Sequence, residues 1–86
     1  MRIIDLANFA DGGLIREAAF LDKLEAFDFS QFEGQDVLVK GCSSGPVPTW
    51  AIMMITARLA QVAGTIAYGE EAEPTVVFER AGVASG

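Results

Sequence analysis

The chain has no histidine and only one cysteine among its 86 residues. Without histidine, neither a Ser-His-Asp nor a Cys-His catalytic pair can form. The commonest zinc sites lose a ligand for the same reason. A single thiol excludes an intrachain disulfide and a thiolate metal cage within one chain, and it fits a reducing compartment. Basic residues are scarce as well: six Lys and Arg stand against twelve Asp and Glu, a net charge of −6. Neutralising phosphates needs clustered cations, so nucleic acid is a poor partner, and an anionic membrane surface equally so. The nucleotide fingerprints G-x-G-x-x-G and G-x-x-x-x-G-K-[ST] do not occur. The longest apolar run, around Ala51–Ile55, falls far short of the ~20 residues that span a bilayer. At the start, Met1-Arg2-Ile3-Ile4 meets Asp5 at once, which is not the pattern of a secretory signal. The expectation is a cytoplasmic protein with no cofactor, metal, nucleic-acid or membrane partner.

What the chain does have is apolar residues, 51% of the total, with a mean hydropathy of +0.34. A domain of this size buries only about 60–65% of its unfolded surface. Excess apolar surface on so small a body marks a subunit interface, and a homodimer is expected. The acid excess reads as solubility. Glu70-Glu71-Ala72-Glu73 reads as an exposed acidic turn in preference to a hard-cation site.

Periodicity divides the chain into six elements. Ile3–Phe9 is a short apolar run, read as a strand that Asp11-Gly12-Gly13 ends. From Leu14 the spacing turns helical, with Leu14, Ala18, Leu21, Leu24 and Phe27 on one face and Asp11 as a candidate N-cap. Asp28–Gly34 reads as a loop whose Phe29 and Phe32 fold back on the core. Val37–Val39 is continuous and β-branched, the pattern of a strand covered on both faces. Pro48–Val62 is a second helix, with Gly64 as its stop. Thr65–Tyr68 is a third strand, Gly69–Pro74 a turn and Thr75–Glu79 a fourth strand. The fold class is therefore α/β, a small mixed sheet with two helices in the order β-α-β-α-β-β. One domain covers residues 1–80, with a flexible tail at 81–86. The β-α-β crossovers should be right-handed with parallel strands.

Two parts of the segment from Asp36 to Arg58 carry the functional expectations. The first is the loop Gly41, Cys42, Ser43, Ser44, Gly45 and on to Thr49. It lies where ligands bind in open α/β sheets, beyond the carboxyl end of a strand, and it leads into a helix start with free N–H groups and a positive dipole end. Such a place suits an anion or a thiolate, since a thiol near a helix N-terminus becomes more acidic. The alternative is that Cys42 packs as a small buried hydrophobe while the serines cap the turn. The second part is the helix. Ile52, Ile55, Leu59 and Val62 form a sheet-facing stripe at ~100° per residue. Trp50, Met53, Met54 and Ala57 form another apolar patch, read as the subunit interface. Its alternative is coverage by the first helix within one subunit.

Several pieces of sequence together resemble one family, the bacterial proteins of "domain of unknown function 2480". They are Leu14-Ile-Arg-Glu, Lys23-Leu-Glu-Ala-Phe-Asp-Phe-Ser, Phe32-Glu-Gly, Val37-Leu-Val-Lys-Gly-Cys-Ser, Pro46-Val-Pro-Thr-Trp-Ala, Thr56-Ala-Arg-Leu and Tyr68-Gly-Glu. The resemblance implies a two-unit chain of which this is one unit, so that two copies would rebuild the pair as a dimer. It brings no established activity. It implies a link with iron–sulfur cluster assembly, whose genes lie beside those of the family, and by that resemblance Cys42 gains weight as a sulfur-handling thiol. Three functions follow as expectations. They are a binding or accessory protein holding an anionic or sulfur-bearing group in the Cys42 loop, a protein-interaction domain without small-molecule chemistry, and an enzyme with Cys42 as nucleophile. The last is weakest, because a thiol enzyme usually needs a partner base. No catalytic residue is assigned.

Overall fold

Four strands form one sheet in the order in which they occur along the chain: β1 (Arg2–Asp5), β2 (Asp36–Lys40), β3 (Thr65–Glu70) and β4 (Glu73–Glu79). The computed structural model describes residues 1–10, 15–41 and 47–80. β1, β2 and β3 are parallel, and β4 returns antiparallel beside β3. Helix α1 (Glu17–Ala26) connects β1 to β2, and α2 (Thr49–Leu59) connects β2 to β3. The order β-α-β-α-β-β is the one expected from periodicity.

Two right-handed crossovers that step the same way along a sheet put both helices on one face. The core has that composition: Ile4, Val37, Val39 and Ile66 from the strands join Phe20 and Leu24 of α1 and Ala51, Ile55 and Leu59 of α2 in one cluster. Val37, Leu38 and Val39 of β2 are all buried, as expected, although among the described residues the helices lie on one face only. Leu38 and Ala67 are also buried, yet they stand outside this cluster. They lie in a row across the opposite face, Ile3–Leu38–Ala67–Val76, whose ends are 43% and 52% exposed.

Local chemistry explains where elements depart from the sequence reading. The first strand stops at Asp5 because its carboxylate accepts the Ala7 N–H at 2.9 Å, offering the backbone an alternative to the ladder. Leu6–Phe9 then forms a 3-10 turn, and its three-residue repeat buries both Leu6 and Phe9. A second such turn, Phe29–Phe32, is capped by Asp28, which accepts from the Ser30 N–H at 3.0 Å. It buries Phe32, with Phe29 half-buried against the core, as expected of this loop. Helix α1 begins at Glu17 after Arg16; the proposed cap Asp11 and the first face residue Leu14 lie outside the described residues. Its buried centre is Phe20 and Leu24, while Ala18 is exposed. In α2 the buried stripe is Ala51, Ile55 and Leu59, with Ile52 half-buried beside it.

α2 is closed by an arginine from the far end of the chain. Arg80 donates to the carbonyls of Ala60 and of Ala63, the latter at 3.1 Å. A cation at the carboxyl end of a helix meets its negative dipole end and its unpaired carbonyls. The Gly64 N–H donates to the Gln35 carbonyl at 2.9 Å, and the Gly64 carbonyl accepts from the Arg80 N–H at 2.9 Å. Gly64 thus ties the chain after α2 to the turn before β2 and to the end of β4.

Candidate functional site

The carboxyl end of β2 carries the first candidate. Of the residues named from sequence, Gly41 and Thr49 are described, whereas Cys42, Ser43, Ser44 and Gly45 lie outside the described residues. Gly41 is half-buried, and a Cβ built on it would meet the Tyr68 Oη at 3.2 Å and Val47 Cγ2 at 4.0 Å. The absence of a side chain lets the phenol hydroxyl of β3 come up against the end of β2. Nearby, Lys40 Nζ stands 3.5 Å from Glu71 Oε1 in the turn after β3. Both side chains of that pair are partly solvated, so it contributes less than about 1 kcal/mol. Thr49, exposed, opens α2 behind Pro48, which provides no side-chain cap. Tyr68 is the polar residue here that sequence reasoning missed. Its signal was available: β3 runs parallel to β2, so its last residues reach the same end of the sheet as Gly41.

The second candidate is the outer side of α2, and the structure splits its four residues. Trp50 is half-buried, its ring edge-on to Phe20 of α1 with centroids 5.5 Å apart. Met54 is half-buried and packed on the core cluster. Met53 is 66% exposed and Ala57 is exposed. These two, with Ala60, form one wall of an open cleft of about 490 Å³, and Tyr68, Val77 and Phe78 form another. No helix lies over β4 among the described residues, so the cleft runs between the side of α2 and the uncovered edge of the sheet.

β4 contributes to this patch in a way the sequence reading missed. Val76, Val77 and Phe78 are three apolar residues in succession, and strict alternation cannot send all three to one face. The register shifts between Ile66 and Ala67: Ile66 pairs with Phe78, and Ala67 with Val76. Val77 is the extra residue of a β-bulge. It remains 53% exposed and lines the cleft beside Phe78.

Charge does little to organise either place. Arg58 lies 3.7 Å from Glu25 and is partly exposed. Among the described residues, no group of three or more His, Cys, Asp or Glu gathers in a way that would hold a metal ion. No helix among the described residues is long and apolar enough to cross a membrane.

With this geometry established, comparison with known proteins identifies the family. The chain belongs to the family of proteins of unknown function DUF2480, whose model matches residues 3–80. The match covers both helices and all but the first residue of the sheet. No curated protein and no solved structure matched the chain.

Proposed function

We propose that this member of a family of unknown function is a homodimeric binding and assembly domain, joined through the side of α2 and the edge of β4. The observation that carries the reading is the open apolar cleft bounded by Met53, Ala57, Ala60, Tyr68, Val77 and Phe78. The two helices cover the sheet from β1 to β3, which leaves β4 with room for one more helix. A second copy supplies one. Under a two-fold axis the same patch serves both subunits, so Met53 of each chain enters the cleft of the other. The short side chains of Ala57 and Ala60 let the two helices approach closely. Methionine suits such a contact because its unbranched chain fills irregular gaps.

The test is a pair of substitutions read by light scattering on a sizing column. Met53→Glu and Val77→Glu place a charge in the contact at positions that are exposed in the single chain, so both variants should be folded monomers. Trp50→Glu attacks the packing between α1 and α2, and should lower stability more than it shifts the association equilibrium. A Met53→Glu chain that stays dimeric would move the interface elsewhere.

The dimer leaves the carboxyl end of β2 as the place for a ligand. The reading of the Gly41–Thr49 loop as a holder of an anionic or sulfur-bearing group is supported by the Tyr68 hydroxyl beside Gly41. It makes this a binding or accessory protein, in line with the missing partner base for a thiol nucleophile. Alkylation of Cys42 in the folded protein across pH tests it. Reaction that sets in well below the usual thiol value of about 8.5 supports it. A thiol that reacts only after unfolding leaves assembly as the whole function.

A further inference from the structure

The outer edge of β1 borders a cleft of about 570 Å³, lined by every residue of that strand. We infer that this cleft is a docking groove for an extended, acidic peptide segment of a partner protein, added to the sheet beside β1. The first reason is the backbone. β1 is an end strand, with β2 as its ladder partner, so its other side presents N–H and C=O groups that an added strand satisfies.

The second reason is charge, which is distributed unevenly among the six basic residues, of which Arg16 is exposed just before α1 and does not line the groove. Lys40 and Arg58 are paired with Glu71 and Glu25. Arg80 is committed to the carbonyls that end α2. The two that line the groove, Arg2 and Lys23, are held by neutral oxygens among the described residues. Arg2 donates to Gln31 Oε1 at 3.0 Å and to the Gln31 carbonyl at 3.5 Å. Its guanidinium lies 4.8 Å over the Phe32 ring. Lys23 Nζ donates to the Ala10 carbonyl at 3.1 Å. Arg2 stands at the start of β1, and Lys23 is tethered beyond its end, so both cations are positioned, and among the described residues no carboxylate forms an ion pair with either. Asp5, the carboxylate that also lines the groove, has one oxygen engaged by the Ala7 N–H. The chain as a whole is acidic, but at physiological salt its distant charges are screened beyond about 8 Å. Within the groove Arg2 and Lys23 outnumber Asp5, and this local positive excess decides what docks.

The third reason is the floor between the cations, where half-buried Phe27 is backed by the buried rings of Phe9 and Phe32. The rings of Phe27 and Phe32 are stacked at 11° with centroids 5.9 Å apart, and Phe9 stands 5.7 Å from Phe27. Four residues of β1 span roughly 13 Å at the rise of a strand. The matching ligand is a segment of about that length, with an acidic residue at each end and an apolar side chain between them on the aromatic floor. This surface is separate from the α2–β4 cleft, and either can fail without the other.

The probe is a synthetic peptide, acetyl-Glu-Val-Phe-Val-Glu-amide, titrated into the isotope-labelled full chain and followed by amide NMR shifts. Its charge-reversed counterpart has Lys in place of Glu. The acidic peptide should move the amides of Ile3, Ile4, Lys23 and Phe32 and leave those of Met53 and Val77 in place. Binding should weaken about tenfold or more in the variant Arg2→Glu with Lys23→Glu, and that variant should prefer the Lys peptide. Arg2→Gln alone, at an exposed position, gives the same direction of change should the double variant fold poorly. Equal binding of both peptides, shifts mapping to α2 and β4, or no saturable shift at millimolar peptide would each overturn the proposal. So would tighter binding of a short oligonucleotide, or self-assembly beyond a dimer through the groove.

Discussion

Truncating Phe20 should cost this protein a large part of its stability. The residue is 0% exposed, and its ring centroid lies 5.5 Å from those of both Phe9 and Trp50. It joins the turn after β1, helix α1 and the first turn of α2 at one point. Replacing a buried Phe by Ala removes about 3–5 kcal/mol, from lost transfer free energy and the cavity left behind. Each aromatic pair adds about 0.5–1.5 kcal/mol beyond burial. At 0.05–0.15 kcal/mol per residue, a domain of this length holds roughly 4–13 kcal/mol in all. Phe20→Ala should therefore bring the protein close to unfolding at 37 °C. Phe20→Leu keeps most of the apolar volume and should cost about 1–2 kcal/mol. Urea titrations followed by far-UV circular dichroism at one fixed protein concentration measure both, since association shifts apparent stability. A double-mutant cycle with Trp50→Leu isolates the edge-on pair and should return a coupling of about 0.5–1.5 kcal/mol. A Phe20→Ala cost below about 1 kcal/mol, or no coupling to Trp50, would refute the claim that this ring locks the two helices together.

Other predictions concern the backbone and its caps. Arg80→Ala leaves the carbonyls of Ala60 and Ala63 without their guanidinium and should cost about 1.5–3 kcal/mol. Thermal melts should show it as a drop of about 4–8 °C per kcal/mol, and Arg80→Lys should recover part of the loss. Gly69 has φ +126°, and a Cβ there would meet the Glu73 carbonyl oxygen at 3.2 Å. Gly69→Ala should therefore destabilise the β3–β4 hairpin by about 1–3 kcal/mol, whereas a stability equal to that of the parent chain would show that the hairpin turns differently. Asp28→Ala removes the cap of the second 3-10 turn and should cost about 1 kcal/mol.

Element type and order were legible because each element is strongly patterned. Val37–Val39 could only be a buried strand, and Pro48 followed by apolar residues at helical spacing could only open a helix. The parallel pairing followed from the crossovers. The helix faces were harder to read. The α1 face was counted from Leu14, which lies outside the described residues, and that start moved its centre off Phe20. In α2, Ile52 outranks Ala51 in hydrophobicity, but geometry puts Ala51 in line with Ile55 and Leu59, where a small side chain lets the helix sit close to the sheet. The patch on α2 was legible in part. Met53 and Ala57 open to the cleft, whereas Trp50 meets Phe20, a contact between elements far apart in sequence that no local period reveals. The share of the cleft that β4 supplies was hidden in a bulge, whose position depends on pairing with β3. The groove along β1 was invisible for a related reason: Arg2, Lys23 and Phe32 meet there only after three elements have packed.

The central claim is that the side of α2 and the edge of β4 join two copies of the chain. Sedimentation equilibrium of the unmodified protein at micromolar concentration tests it most directly. The account predicts twice the 9.1 kDa chain mass, falling to the single-chain mass in Met53→Glu. A wild-type protein that sediments at the single-chain mass throughout that range would contradict it.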